Sequence, residues 1–398
     1  MRIAMIGPFG FHPNKTMRAR ALGLARALVR RDHQVSILMP PWQTPAEANS
    51  AWIEDGVAIR YIPLRGGVPG ITHRLVQETL AWLPDVVHCF KPKAYSGLVA
   101  WWLWHWQRRQ VRLVVDMDDW EGAGGWNEIA PYTLWQKRFF AWQEKWGMGH
   151  CHALTVASRT LQSLVWAHGA PPQQVVYLPN GPGITAPGES AAARRAALGL
   201  AGRPTLLLYS RLFEFDSQRL VDILQRVQAS VPDFALLLVG DSLYKTDAAA
   251  FRQQLAAAGL SSHVVDVGWL AEDETPDTLA AADVGIYLME DNLLNRTKCP
   301  VKLADMLYCG VPVVGEAVGQ VPEYVVHEQT GRLRSVGDNN GIAADLVYIL
   351  QNPLYRRALS LAAHEHVLLH FSWDQLAARA EGAYTLPVRA GFKPVPTP

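Results

Sequence analysis

Short β-branched runs alternate with helix-like patterns along the whole chain, and they do so in two successive series. Alternation of this kind is the sequence form of βαβ units, so it constrains the chain to parallel sheets covered by helices, an α/β architecture. The first series places strands at 2–6, 35–38, 57–62, 86–88, 112–116 and 153–157, and closes on Val-Val-Tyr-Leu-Pro-Asn-Gly at 175–181. The second places them at 205–210, 234–240, 264–268, 284–288 and 311–314. Amphipathic patterns predict helices over 16–30, 218–229, 248–258 and 373–383. A chain of 398 residues is too long for one ordinary core. Two domains are expected, 1–181 and 204–371, joined by a linker at 182–203 that opens on a Gly- and Pro-rich run and followed by a C-terminal helix and tail at 372–398.

Composition narrows the function classes. With 49% hydrophobic and 18% charged residues the chain has ample apolar material for buried strands. Its 37 basic and 36 acidic side chains leave a net charge of +1, so no long-range field favours nucleic acid, and none is expected as a partner. Cys89, Cys151, Cys299 and Cys309 form no Cys-x-x-Cys pair, which points to reduced, buried thiols and no structural zinc. A first strand starting at Arg2 leaves no space for a secretory leader, and the longest apolar stretch, 98–106, is far shorter than the ~20 residues of a spanning helix. A cytoplasmic protein is expected. Fifteen tryptophans are many, and most of one cluster falls in 101–106 and 135–146. Core and interdomain packing is the favoured reading of these runs. The alternative is a peripheral contact with the inner face of the cell membrane, because Lys137, Arg138 and Lys145 stand beside the aromatics.

The densest chemical signal is Lys-Leu-Ala-Asp-Met-Leu-Tyr-Cys-Gly-Val-Pro-Val-Val-Gly at 302–315, followed by Val-Gly-Gln-Val-Pro-Glu at 318–323. It reads as an amphipathic helix with one inward acid, a Gly-Val-Pro turn, a buried strand, and a glycine turn opening another helix. That layout sets Asp305 at the carboxyl edge of a parallel sheet, where open α/β folds bind nucleotides. Upstream, Tyr-Ser-Arg-Leu-Phe-Glu-Phe-Asp at 209–216 follows a strand, Gly240 and Gly268-Trp269 end two more, and Gly-Pro-Phe-Gly10 makes a tight loop after the first.

Together and in this order, these motifs resemble the retaining group 1 (family 4) glycosyltransferases. The resemblance implies the GT-B fold: two Rossmann-like domains facing a central cleft, with the C-terminal helix crossing back to the N-terminal domain. It implies transfer of a sugar from a nucleoside diphosphate donor to a hydroxyl acceptor with retention of configuration, by front-face attack in which the departing phosphate takes the acceptor's proton. No cofactor and no metal are implied. Arg211 falls in the family's phosphate-binding place, while Asp216 stands where a lysine is usual, so Lys302, or else Lys298, supplies the second cation. Asp305 takes the position that binds the ribose hydroxyls. Thr297 stands where the family has a glutamate near the transferred sugar, and threonine cannot act there as an anion. Pro300 offers no amide, while Val301 and Lys302 keep theirs. Gly268-Trp269 falls where the family's main chain meets the base, with Gly240 in the neighbouring strand-end loop; independently of the resemblance, the tight loop around Gly10 lets backbone approach a phosphate. His88, in Asp-Val-Val-His, matches a strand-end histidine facing the donor sugar, giving catalytic expectations for His88, Arg211 and Lys302; a core histidine is its plain alternative. Asp118 and Asp119 either face the acceptor or cap the next helix. Two rivals keep the fold: a non-catalytic sugar-nucleotide binder, suggested by Thr297 and Asp216, and a sugar-nucleotide epimerase.

Overall fold

A computed structural model describes residues 1–13, 16–188, 190–242 and 245–387. The ends of the expected 7–15 loop and of the C-terminal tail lie outside them. The chain divides into two compact units. The first holds Met1–Gly181, Thr297–Cys299 and the chain from Ser372, the second Pro182–Arg296 and Pro300–Phe371.

The first unit is built on an eight-stranded sheet: β1 (Arg2–Ile6), β2 (Gln34–Met39), β3 (Ala51–Glu54), β4 (Val57–Tyr61), β5 (Val86–Phe90), β6 (Arg112–Met117), β7 (Ala153–Val156) and β8 (Val175–Tyr177). Their order is β3-β4-β2-β1-β5-β6-β7-β8, with every pairing parallel except the β3–β4 hairpin. The central strands are buried on both faces, which is why they read as continuous apolar runs. Sequence periodicity misses β3, whose residues are half-buried or exposed. Its signal is the Asp55-Gly56 turn, where both residues take positive φ, 49° and 81°, as a two-residue hairpin demands.

The C-terminal helix Trp373–Thr385 belongs to this first unit. Leu376, Ala377, Ala380, Ala383 and Tyr384 recur at helical spacing and enter the same apolar core as β1 and the helix Gly23–Arg30. Close approach is possible because Gly23 has no side chain: a Cβ there would sit 2.5 Å from the Trp373 ring. Bidentate pairing of Arg31 with Glu381 at 2.7 Å, and Arg30 with Asp374 at 2.7 Å, fixes the rim.

The second unit has six parallel strands, β9 (Thr205–Tyr209), β10 (Ala235–Val239), β11 (Val264–Gly268), β12 (Val284–Tyr287), β13 (Val313–Glu316) and β14 (Gly331–Arg334), ordered β11-β10-β9-β12-β13-β14. Counted from its own first strand this is 3-2-1-4-5-6, the doubly wound order, whose direction reverses between β9 and β12. The mixed polar strand β14 is the one that sequence patterning misses. The stretch expected as linker carries a helix, Ala191–Ala197, whose Arg195 holds the Ala281 carbonyl at 2.7 Å and Asp283 at 2.9 Å.

Candidate active site

In the second unit, the residues expected to bind a donor gather at the carboxyl ends of β9, β10 and β11 and at the start of the helix Val301–Tyr308. Ligands of doubly wound sheets bind at this edge, where the winding reverses. The loop after β9 bends through Leu212, at φ 57°, and leaves Arg211 about one-third exposed, 3.6 Å from Glu214 and with its guanidinium 4.8 Å from the centre of the Phe213 ring. Gly240 ends β10 at φ 103°, and a Cβ there would lie 2.5 Å from the Ser210 carbonyl oxygen and 3.6 Å from Lys302 Nζ. Glycine is therefore required both by the backbone angle and by the packing of the two loops. Lys302 Nζ sits between two rings, 4.6 Å from Tyr209 and 5.1 Å from Trp269. Ring faces hold a cation in position without neutralising it. Burial, with Asp305 adding to it, pushes the Tyr209 hydroxyl far above its ordinary pKa, so the ring stays neutral.

The helix Val301–Tyr308 starts behind Pro300, whose carbonyl accepts from Leu303 and Ala304 at 3.2 and 3.3 Å. The amides of Val301 and Lys302 precede the first intrahelical bond and point from the positive end of the helix. Asp305, one turn on, is buried, and its Oδ1 accepts from the Gly183 amide at 2.7 Å. Trp269 is 51% exposed beside Gly268, whose carbonyl accepts from the Gly240 amide at 2.8 Å. A hollow next to them is lined by Ser210, Leu212, Gly240, Asp241, Phe251 and Asp266, among others. Arg211, Lys302, Val301, Gly240, Trp269 and Asp305 thus lie on one edge of one sheet. Asp216, standing in the lysine's place, serves the fold instead: as the N-cap of the helix Ser217–Ser230 it accepts from the Gln218 amide at 2.9 Å.

The remaining expected site residues lie in the first unit. Thr297 is fully buried and its carbonyl accepts from Ser158 Oγ at 2.7 Å. Cys299 receives the Asn180 amide on Sγ at 3.1 Å and Asn180 Nδ2 on its carbonyl at 2.8 Å. Lys298, buried between them, has Nζ 5.7 Å from the Trp126 ring. Gly10 is buried, and a Cβ there would meet Tyr61 Oη at 3.1 Å, so its packing against that ring already accounts for the glycine.

The surroundings of His88 fit its plain alternative, a core histidine. It is the middle residue of β5 and has no exposed surface; Nδ1 lies 2.9 Å from Tyr384 Oη and Nε2 3.1 Å from Thr155 Oγ1. Thr155 gives its one proton to Asp116 Oδ2 at 2.6 Å, so toward His88 it must accept. Nε2 therefore carries the ring proton and Nδ1 accepts from Tyr384. Burial, opposed by Asp116, lowers the imidazole pKa to about 4 and keeps it neutral. Asp116 is in turn gripped by Arg20 through two bonds of 2.8 and 2.6 Å, and Arg20 also donates to Asn180 Oδ1 and the Leu178 carbonyl. With both nitrogens engaged and no surface, His88 is a core histidine in a closed network.

The groups that do reach the strand ends of this unit are ones that sequence alone leaves undecided or does not single out. Lys91, just beyond β5, lies with Nζ 2.7 Å from Asp119 Oδ2 and 3.2 Å from Asp118 Oδ1, in the place a cation between two carboxylates would take. Burial, against the pull of Lys91 and with repulsion from Asp119, lifts the Asp118 carboxyl to about 7. Asp119, half-buried and bonded to Lys91, is held below the carboxylate range. Asp118 is thus a carboxyl able to give or take a proton near neutrality at the end of a central strand. The Lys-Pro-Lys at 91–93 is the signal in the sequence that could have found this cluster.

Comparison with known proteins agrees with the two units. Residues 15–181 match the model for a glycosyl transferase 4-like domain, and residues 203–352 that for glycosyl transferases group 1. The chain is 25% identical over 409 aligned residues to a phosphatidyl-myo-inositol mannosyltransferase of Mycolicibacterium smegmatis, covering 99% of this chain and 96% of that protein. It is 28% identical over 169 residues to N-acetyl-alpha-D-glucosaminyl L-malate synthase of Bacillus anthracis, but that match spans only 42% of either chain. A match at 28% to a GDP-mannose-dependent alpha-(1-6)-phosphatidylinositol monomannoside mannosyltransferase of Mycolicibacterium smegmatis covers 57% of this chain and 60% of the relative. Among solved structures, Anabaena Alr3699/HepE in complex with UDP-glucose superposes with a TM-score of 0.71 at 18% identity, over 96% of this chain and 98% of that one. Sucrose-phosphate synthase from Thermosynechococcus elongatus does so with a TM-score of 0.70 at 21% identity, over the same shares. The protein belongs to the group 1 glycosyltransferases and has their GT-B fold.

Proposed function

We propose that the protein transfers a sugar from a nucleoside diphosphate sugar to a hydroxyl acceptor with retention of the anomeric configuration, working on the cytoplasmic side of the membrane. The observation that carries this reading is the convergence of Arg211, the ring-held Lys302 and the first amides of the helix Val301–Tyr308 on one sheet edge. A diphosphate gains negative charge as the sugar leaves, and fixed cations with helix-start amides stabilise that charge without reorganising. The proton of the acceptor hydroxyl goes to the departing phosphate. Asp305 anchors the ribose, and the Gly268-Trp269 segment meets the base. The relatives' names, which include a mannosyltransferase described as GDP-mannose-dependent, support a nucleoside diphosphate sugar as donor.

Thr297 supplies no carboxylate near the sugar, so binding without transfer is the reading to be tested against. Incubating the purified chain with UDP-, GDP- and ADP-sugars separates the two. A transferase lacking its acceptor releases some free sugar, and with a hydroxyl acceptor it yields a glycoside whose anomeric signal by NMR matches the donor's. Tight donor binding with neither release nor transfer would assign a binding role, and inversion at the anomeric carbon would reject retention.

A further inference from the structure

The aromatic runs expected to pack inside do so only in part. Phe140, Trp104 and Trp146 are buried, but Trp106, Trp135, Phe139 and Trp142 are exposed, Trp135 by 77% and Trp106 by 54%. On the helix Leu134–Gly149 the exposed positions are Leu134, Trp135, Gln136, Arg138, Phe139, Trp142 and Lys145, with Trp135, Arg138, Phe139, Trp142 and Lys145 recurring at helical spacing, while Gln143, Glu144 and Gly147 face inward. The stripe is continuous with the end of the helix Ala94–Trp106. Phe139 stacks on Trp142 at 5.8 Å, Trp142 meets Trp146 at 6.3 Å, Trp146 stacks on His105 at 5.8 Å, and Trp106 lies 5.2 Å from Trp102. Soluble surfaces rarely leave so many large rings together in water.

Charge on this ridge has one sign. Arg108, Arg109, Lys137, Arg138 and Lys145 belong to these helices or to the turn that follows the first of them, against one acid, Glu144. Glu144 is buried, and that burial raises its pKa to about 8, so it does little to offset the cations at neutral pH. The whole chain carries only +1, which makes the positive ridge a local concentration.

We propose that this ridge docks the protein on an anionic lipid bilayer. Trp106, Trp135, Phe139 and Trp142 settle at headgroup depth, where an indole keeps its ring among acyl chains and its N–H in the polar layer, and the five cations face lipid phosphates. A bilayer suits the ridge better than a protein partner, because exposed rings flanked by cations of one sign match an anionic lipid surface. Among the described residues no helix is long and apolar enough to cross a membrane, so the contact is peripheral. The inference does not depend on the donor site: vesicle binding and nucleotide binding can each fail without the other.

Co-sedimentation of the full chain with vesicles tests it, using phosphatidylcholine alone and phosphatidylcholine mixed with phosphatidylglycerol. Binding to the mixed vesicles is expected, with a blue shift of tryptophan emission and loss of binding as salt is raised. Arg138→Gln and Lys145→Gln should each weaken partition about fivefold, the effect of removing one basic residue, ~1 kcal/mol, from an anionic surface. Trp135→Ser with Trp142→Ser should weaken it by at least about tenfold. Both sets are at exposed positions, and circular dichroism confirms the fold. No binding to mixed vesicles at low salt, or equal binding by both sets of variants, would overturn the proposal. So would self-association of the chain that the tryptophan variant abolishes, since the ridge would then be a protein interface.

Discussion

The two sheets hold the charges near the carboxyl ends of their strands differently. In the first unit Arg20, Asp116, Lys91, Asp118 and Asp119 are paired with one another, and all but Asp119 are almost fully buried. In the second, Arg211 stays one-third exposed at 3.6 Å from Glu214, and Lys302 lies against the Tyr209 and Trp269 rings. A buried ion pair is tied to the fold, whereas a cation that reaches a surface loop is open to a ligand. On the function proposed above, the first edge serves structure and the second recognition.

The largest effect should come from breaking the closed network. Arg20→Ala strands a buried carboxylate and should cost about 3–5 kcal/mol in the first unit. Every tryptophan except Trp269 lies in that unit, so urea unfolding followed by tryptophan fluorescence reads it selectively. A loss below about 1 kcal/mol, the worth of a surface pair, would erase the contrast between the halves.

Acid should act next. His88 titrates at about 4 when folded against 6.5 as its ordinary value, so between these the unfolded chain binds the extra proton. Its stabilising contribution is complete above 6.5 and is lost as pH falls toward 4, on the order of 3 kcal/mol in all. Asp118 and Glu144 act the other way, since acids whose folded pKa is raised contribute stability that fades as pH rises. Comparing pH-dependent unfolding of the protein with that of His88→Asn isolates the histidine: the variant's slope between pH 6.5 and 4 should be shallower, and equal slopes would remove His88 from the network.

Substitutions in the second unit separate recognition from stability. Gly240→Ala forces a Cβ against the Ser210 carbonyl at φ 103°, costing roughly 1–3 kcal/mol, and should weaken nucleotide binding by displacing the loop that carries Arg211. Asp216→Ala should give the smallest effect, about 1 kcal/mol from a lost N-cap, with nucleotide affinity unchanged in calorimetry. If affinity fell as well, Asp216 would belong to the recognition set.

What is legible in the sequence follows the same division. Glycine and proline turns, strand-end cations and the helix carrying Asp305 are local signals, so the motifs of the proposed donor edge are legible in the sequence, while their roles come from the family resemblance. The network around His88 cannot, because Arg20, His88, Asp116, Thr155 and Tyr384 come from five separate elements, and only folding brings them together. Arg20 reads as one polar residue of an amphipathic helix, yet it is fully buried. The tryptophan runs are ambiguous for another reason: composition reports how many rings a helix carries, while the tertiary fold decides which ones water touches.

The sharpest check on the donor edge is titration calorimetry of UDP, GDP and ADP against the protein and its Arg211→Ala and Lys302→Ala variants. At least one diphosphate should bind, and each variant should lose about 1.5–3 kcal/mol of affinity, the worth of a charge-assisted hydrogen bond, with its unfolding unchanged. A diphosphate that binds all three proteins equally well would contradict the assignment of this edge to the donor.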